Sequence, residues 1–203
     1  MIFYYLSEKI EDMAEIMVET KKKLVIVLAM HGVPPRDFPR QELREYFDLS
    51  FRREYSPFSL SESELDRLTE LERKMRLWPR DEKNDPFYFG SLKIAQALES
   101  LAGCEVILGF NEFCAPSIEE ALEEACRRKA ETVLVLTPML TPGGEHAARE
   151  IPEAIKKTKA HHPGIRIIYA WPFEPEEIAR FLLAKAEKEL GEPEGKGNKR
   201  EGD

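Results

Sequence analysis

The chain carries only three cysteines and four histidines in 203 residues. Cys104, Cys114 and Cys126 form no C-x-x-C pair, which removes the usual zinc-ribbon and thioredoxin-type arrangements and fits a reducing compartment. No apolar run approaches the roughly 20 residues that span a bilayer. The opening MIFYYLSEKIEDMAE lacks a basic region leading into a long apolar stretch, so no signal peptide and no membrane partner are expected, and a cytoplasmic location is the default. Positive charge is also short: 30 Lys and Arg stand against 38 Asp and Glu, a formal net charge of -8. Broad nucleic-acid binding, which needs a basic face to displace counterions, is therefore not expected, whereas a local basic pocket for an anionic small molecule stays open. Finally, G-x-S-x-G, Walker and G-x-G-x-x-G sequences are absent, so serine-hydrolase and nucleotide readings lack their usual anchors.

What is present is the composition of a folded domain, 42% hydrophobic and 33% charged. Its apolar residues alternate between two periods. Residues 7–22 read as a helix capped by Ser7, with Ile10, Met13 and Met17 at helical spacing. Leu24 to Met30 is a continuous apolar run with β-branched residues, the pattern of a strand buried on both faces. It stops at His31-Gly32-Val33-Pro34-Pro35. Three further strands are predicted at 104–110, 131–136 and 165–170. Helices are predicted from Asp85-Pro86 to Gly103 (core face Phe89, Leu92, Leu98, Leu101), from Ser117 to about Lys129, from the Gly143-Gly144 loop to Gly164, and from Pro175 to Leu190. The stretch 36–84 is rich in charges and aromatics. Ser61 with Glu64 makes a capping box there, and Leu65, Leu68, Leu71 and Met75 mark a helix ending before Pro79.

Strands alternating with helices predict an α/β fold, a doubly wound parallel four-stranded sheet with a helical insertion at about 36–84 after the first strand. Residues 1–190 form one domain on this reading, and the polar, glycine-rich 191–203 a disordered tail.

In open parallel sheets ligands bind beyond the carboxyl ends of the strands. His31 follows the first strand, Glu112 the second, the Pro142-Gly143-Gly144 turn and His146 the third, and Trp171-Pro172-Phe173 the fourth. Two histidines and one carboxylate on one edge suit a borderline divalent metal such as cobalt, iron or nickel, with coordination positions left open for a metal that arrives and leaves. Near neutral pH the same groups accept protons. Each residue also has a plainer reading. A strand-end histidine is often only hydrogen-bonded, and Glu112 would suit the positive end of the following helix. Cys114 is either a thiolate near a helix N-terminus or a small buried filler. His161 and His162 fit a helix C-terminus as structural residues.

The segment Thr137 to Pro152, with Gly144-Glu145-His146 followed by Glu150-Ile151-Pro152, resembles the class II tetrapyrrole chelatases, of the small sirohydrochlorin cobaltochelatase and ferrochelatase type. Phe110-Asn111-Glu112 with Pro116-Ser117, Ala160 to Gly164, and His31-Gly32 after an apolar strand are similar to that family's other segments, so the resemblance covers 24–33 and about 86–187. His31-Gly32-Val33-Pro34-Pro35-Arg36 departs from the family's His-Gly-Ser-Arg, and about fifty residues then intervene where the family passes quickly into a helix, longer than a compact connection.

The resemblance implies a chelatase-like domain and a lyase of tetrapyrrole biosynthesis on the cobalamin, siroheme or nickel-cofactor side. It would insert a divalent metal into sirohydrochlorin or a related tetrapyrrole. No permanently bound cofactor is implied, because the metal is a substrate. By this carry-over His31 and His146 bind the metal or accept pyrrole protons, and Glu112 assists. Trp171 and Phe173 are candidates to pack on the ring, and Arg36 and Arg149 to meet its carboxylates, against ordinary packing and solvated charge. Longer members hold two similar halves, so a homodimer is expected. The 36–84 stretch is read as a lid or partner surface. The alternatives are a non-catalytic metal or tetrapyrrole carrier on the same scaffold, and an unrelated α/β enzyme or interaction module.

Overall fold

A computed structural model describes residues 24–56 and 60–191; the predicted helix 7–22 and nearly all of the tail after Leu190 lie outside the described residues. Four strands, β1 (Leu24–Met30), β2 (Glu105–Phe110), β3 (Thr132–Leu136) and β4 (Arg166–Tyr169), form one sheet in the order β2-β1-β3-β4. Every pairing is parallel, with Met30 beside Phe110 and Leu28 beside Leu136. The strands lie within a residue of their predicted positions. The continuous apolar run of β1 is buried from Val25 to Met30, as a central strand covered on both sides requires.

Six helices are described: α1 (Arg40–Tyr55), α2 (Glu62–Arg76), α3 (Pro86–Ala102), α4 (Ile118–Arg127), α5 (Ile151–His161) and α6 (Pro175–Gly191). Alternate β1 residues face opposite layers. Val25, Val27 and Ala29 pack with Ala121 and Leu122 of α4 and Ile151 and Ile155 of α5, while Leu28 and Met30 pack with Ala95 of α3 and Phe110. A third cluster lies in the 36–84 stretch, where Phe38, Tyr46, Leu49, Leu60, Leu68, Leu71 and Met75 close around Phe113. No helix among the described residues is long and apolar enough to cross a membrane.

Four local readings are corrected. The 36–84 stretch contains a helix, α1, that its sequence does not announce. Pro39 precedes it without a side-chain cap, and its buried Tyr46 and Leu49 are mixed with exposed Phe47, Phe51 and Tyr55, which blurs the 3.6-residue period. Leu65 of α2 is exposed, leaving Leu68, Leu71 and Met75 as the buried stripe. On α3 the small residues Ser91 and Ala95 are buried while Leu101 is 75% exposed, because helical phase rather than residue size selects the inward face. The helix predicted after Gly143-Gly144 opens with a π-helical turn at His146–Glu150. Pro152, which has no N–H to donate, stands just after it at the start of α5.

Candidate active site

Because β1 lies between β2 and β3, its C-terminal end is flanked by the loops that follow both neighbours. The β1–β2 ladder continues past the strands. The Asn111 and Glu112 amides donate to the carbonyls of Met30 and His31, each at 2.9 Å, which brings Glu112 beside His31. Gly32, at φ +96°, makes this approach possible: a Cβ there would run into the backbone carbonyl of Glu112. Phe113 next to it holds φ +59°, a left-handed conformation uncommon outside glycine.

The Nε2 atoms of His31 and His146 stand 3.2 Å apart, and Glu112 Oε2 lies 3.9 Å from the first and 3.7 Å from the second. One ligand atom from each of these three residues falls within 4.8 Å of the others. The remaining ring nitrogens are occupied. His31 Nδ1 is 2.7 Å from the Gly32 carbonyl, which can only accept, so Nδ1 carries the proton. His146 Nδ1 is 2.7 Å from Glu150 Oε2, and Asn111 donates to the same oxygen at 3.2 Å. The hydrogen bond to His146 holds the Glu150 carboxyl below its usual range, and the bond to Glu150, against partial burial, raises the His146 imidazole above its own. With both Nδ1 atoms donating, two Nε2 lone pairs face each other beside a carboxylate. Such a grouping is satisfied by a proton or by a cation.

Metal–nitrogen bonds of about 2.0–2.1 Å at a tetrahedral angle separate two ligand atoms by about 3.3–3.4 Å, and at a right angle by about 2.9 Å. The observed 3.2 Å falls between these values. Two imidazoles and a carboxylate suit first-row divalent ions, and they leave the remaining coordination positions free. His31 is half exposed, so those positions open outward.

The other sequence candidates sit differently. Trp171 stacks on Tyr169 at 5.9 Å and donates Nε1–H to the Met139 carbonyl at 3.2 Å, which ties it to the β3 loop, and Phe173 is partly buried. Arg149 pairs with Glu145 one turn back, on either side of His146. The exposed Arg36 donates to the Lys83 carbonyl at 3.5 Å. The thiolate reading of Cys114 is corrected: its side chain is buried, which pushes the thiol up, and Ser117, not Cys114, caps α4. His161 and His162 close α5 and both pair with Glu123 of α4.

Sequence reasoning missed three contributors. Glu150 had a signal, since it stands four residues after His146 on one helical face. Arg76 and Arg80 had none. Arg76 donates to the carbonyls of Asn111 and Cys114, both at 2.8 Å. Arg80 donates to Phe113 and Val33 and pairs with the fully buried Asp85. Two guanidinium groups from the 36–84 stretch therefore hold the backbone on either side of Glu112 and just after His31.

The sequence model of the CbiX family matches residues 90–190 of this chain. Over 76 residues the chain is 34% identical to a sirohydrochlorin ferrochelatase of Priestia megaterium, covering 37% of this chain and 28% of that protein. Over 83 residues it is 35% identical to a sirohydrochlorin cobaltochelatase of Sulfurisphaera tokodaii, covering 40% and 65% respectively. The chain thus matches less than two thirds of these relatives' own length. Among solved structures it is similar to the cobalt complex of the sirohydrochlorin chelatase SirB from Bacillus subtilis subspecies spizizenii, at 17% identity and a TM-score of 0.47, over 82% of this chain and 50% of that one.

Proposed function

We propose, for a chain whose residues 90–190 belong to the CbiX family, that it inserts cobalt, iron or nickel as a divalent ion into sirohydrochlorin or a related tetrapyrrole. The observation that carries this reading is the pair of imidazole Nε2 atoms 3.2 Å apart, each with its other nitrogen already bonded and Glu112 within 4 Å of both. Insertion exchanges two pyrrole N–H protons for one divalent cation. The site must therefore present the metal and take up protons.

His31 and His146 hold the incoming metal, and Glu112 completes a three-point grip on one side of it. The open side admits the ring nitrogens. As the metal passes to the macrocycle, the freed Nε2 atoms and the Glu112 carboxylate become the nearest bases. Glu150 fixes the orientation and tautomer of the His146 ring and stabilises its protonated form. Nickel, iron and cobalt all suit this donor set, so cellular supply decides among them.

The test follows the absorbance change of sirohydrochlorin on addition of cobalt, iron or nickel. Wild type is expected to turn over, with activity lost in His31→Ala and in His146→Ala. Binding of metal or tetrapyrrole without turnover in the wild type would instead identify a carrier, and absence of metal affinity at the two histidines would end the proposal.

A further inference from the structure

We propose that the outward face of α1 is the wall against which the flat, carboxylate-bearing macrocycle lies, an inference that rests on the function proposed above. Arg40, Arg44, Phe47, Phe51 and Tyr55 follow one another at steps of four, three, four and four residues and so share one stripe of the helix. All five are exposed, with Phe51 at 65% and Tyr55 at 66%. The attachment of α1 is made on another side by Tyr46 and Leu49, and within the stripe Phe47 alone also meets rings outside it, edge-on against Tyr46 and Phe113. Phe51 and Tyr55, two aromatic side chains held in water when a buried face is already supplied, form the kind of apolar patch that marks a binding surface.

The position of the stripe ties it to the metal-binding groups. At one end the Phe47 ring lies 6.0 Å from Phe113, the residue after Glu112. At the other the Phe51 and Tyr55 rings lie 5.0 Å apart. The Tyr55 phenol is raised by its hydrogen bond to Glu54, by that carboxylate's charge and by desolvation, and then by Glu145, with Arg149 opposing. The helix therefore ends within electrostatic reach of the pair that flanks His146. From Phe47 to Tyr55 the stripe runs about 12 Å along the axis, comparable with the width of a tetrapyrrole ring.

Its chemistry matches that occupant. Aromatic faces pack on a conjugated ring, and guanidinium groups take carboxylates at its edge. Among the described residues neither Arg40 nor Arg44 holds an ion pair, so both remain available on the same face. A second copy of the chain is the competing occupant, and the assay separates the two.

The full chain and its Phe51→Ser/Tyr55→Ser and Arg44→Gln variants are titrated with metal-free sirohydrochlorin, assayed with cobalt and weighed by light scattering; Phe181→Ser, an exposed aromatic of α6, serves as the control. The double variant is expected to weaken sirohydrochlorin binding and raise KM by about tenfold or more. Its kcat and its affinity for cobalt alone should stay near wild type. Arg44→Gln should act in the same direction more weakly, and Phe181→Ser should change nothing. Phe51→Tyr/Tyr55→Phe, which keeps both rings, should restore binding.

Unchanged sirohydrochlorin affinity in the double variant overturns the proposal. So does an unchanged KM accompanied by a fall in molecular mass, which would give the face to a second copy. Wild type that binds sirohydrochlorin without turning it over refutes the chelatase reading but leaves the wall to be decided by the same titration. Wild type that binds none refutes both.

Discussion

Asp85 is fully buried and does two jobs: Oδ1 accepts from the Tyr88 amide at 2.9 Å to cap α3, and Oδ2 pairs with Arg80, itself only 7% exposed at the side chain. Asp85→Asn keeps the shape and remains a good cap. With Oδ1 kept on the Tyr88 amide, it removes the charge and sets an N–H donor where Oδ2 accepted, leaving the Arg80 guanidinium buried without a counter-ion. Loss of one partner of such a pair costs about 3–5 kcal/mol. Arg80→Met strands the carboxylate instead, and also removes the donor to the carbonyls of Val33, Phe113 and Met75. It should cost at least as much.

The double variant removes both charges, so its loss should fall short of the sum of the singles by about 1–3 kcal/mol. Urea unfolding of the four proteins measures all these quantities. Because Val33 follows the His31-Gly32 step and Phe113 follows Glu112, cobalt affinity in the Arg80→Met protein should drop under conditions where it is still folded. A loss below about 1 kcal/mol in Asp85→Asn, or strict additivity in the double variant, would refute the view that this pair fastens the two loops.

Other consequences concern the site and the sheet. His146 is raised above 6.5, so its share of the pair's stability is present below the ordinary imidazole value and disappears as pH climbs through the raised one. Glu150 is lowered below 4.5, so its share is present above the ordinary carboxyl value and disappears as pH drops through the lowered one. Glu150→Gln should therefore lower the His146 pKa in metal-free protein, read by NMR titration, and move the acidic limb of kcat/KM to lower pH. An unmoved His146 would contradict the assignment of Glu150 as its partner. Gly32→Ala drives a methyl group into the Glu112 carbonyl from a backbone angle that alanine rarely adopts, and should cost on the order of 2–3 kcal/mol with loss of cobalt binding, checked by urea unfolding and calorimetry. Gly109→Ala places a Cβ 2.8 Å from that of Ala121, so α4 must shift on β2; a loss of about 1–3 kcal/mol in thermal unfolding is expected with the metal site largely kept.

Much of the scaffold is legible in the residue order. The first three strands are short apolar runs closed by a polar residue, His31, Asn111 or Thr137, and the capping boxes at Ser61 and Ser117 mark the starts of α2 and α4. The meeting of His31, Glu112 and His146 follows from their places after three parallel strands. Their distances need the strand order, which depends on which neighbours β1 selects. What escaped reading acts across long separations or against local pattern. Arg76 and Arg80 act on carbonyls 33 to 47 residues away, and a backbone carbonyl leaves no trace in side-chain identity. The start of α1 lacks a capping residue, and three of its four aromatics, Phe47, Phe51 and Tyr55, are exposed rather than in the core that pattern reading seeks.

The Arg36 amide donates to the Asn84 carbonyl at 2.8 Å, so the chain departs toward α1 and α2 and comes back through a single narrow gate. Closing a longer detour beyond that gate adds only slowly to its entropic cost, so extra length between α1 and α2 is tolerated. The return leg is different: Arg76, Arg80 and the Leu68, Leu71 and Met75 side chains packed with Phe113 are tied to the loops after β1 and β2, so the detour can grow in its middle but not lose the helix that leads back to the sheet.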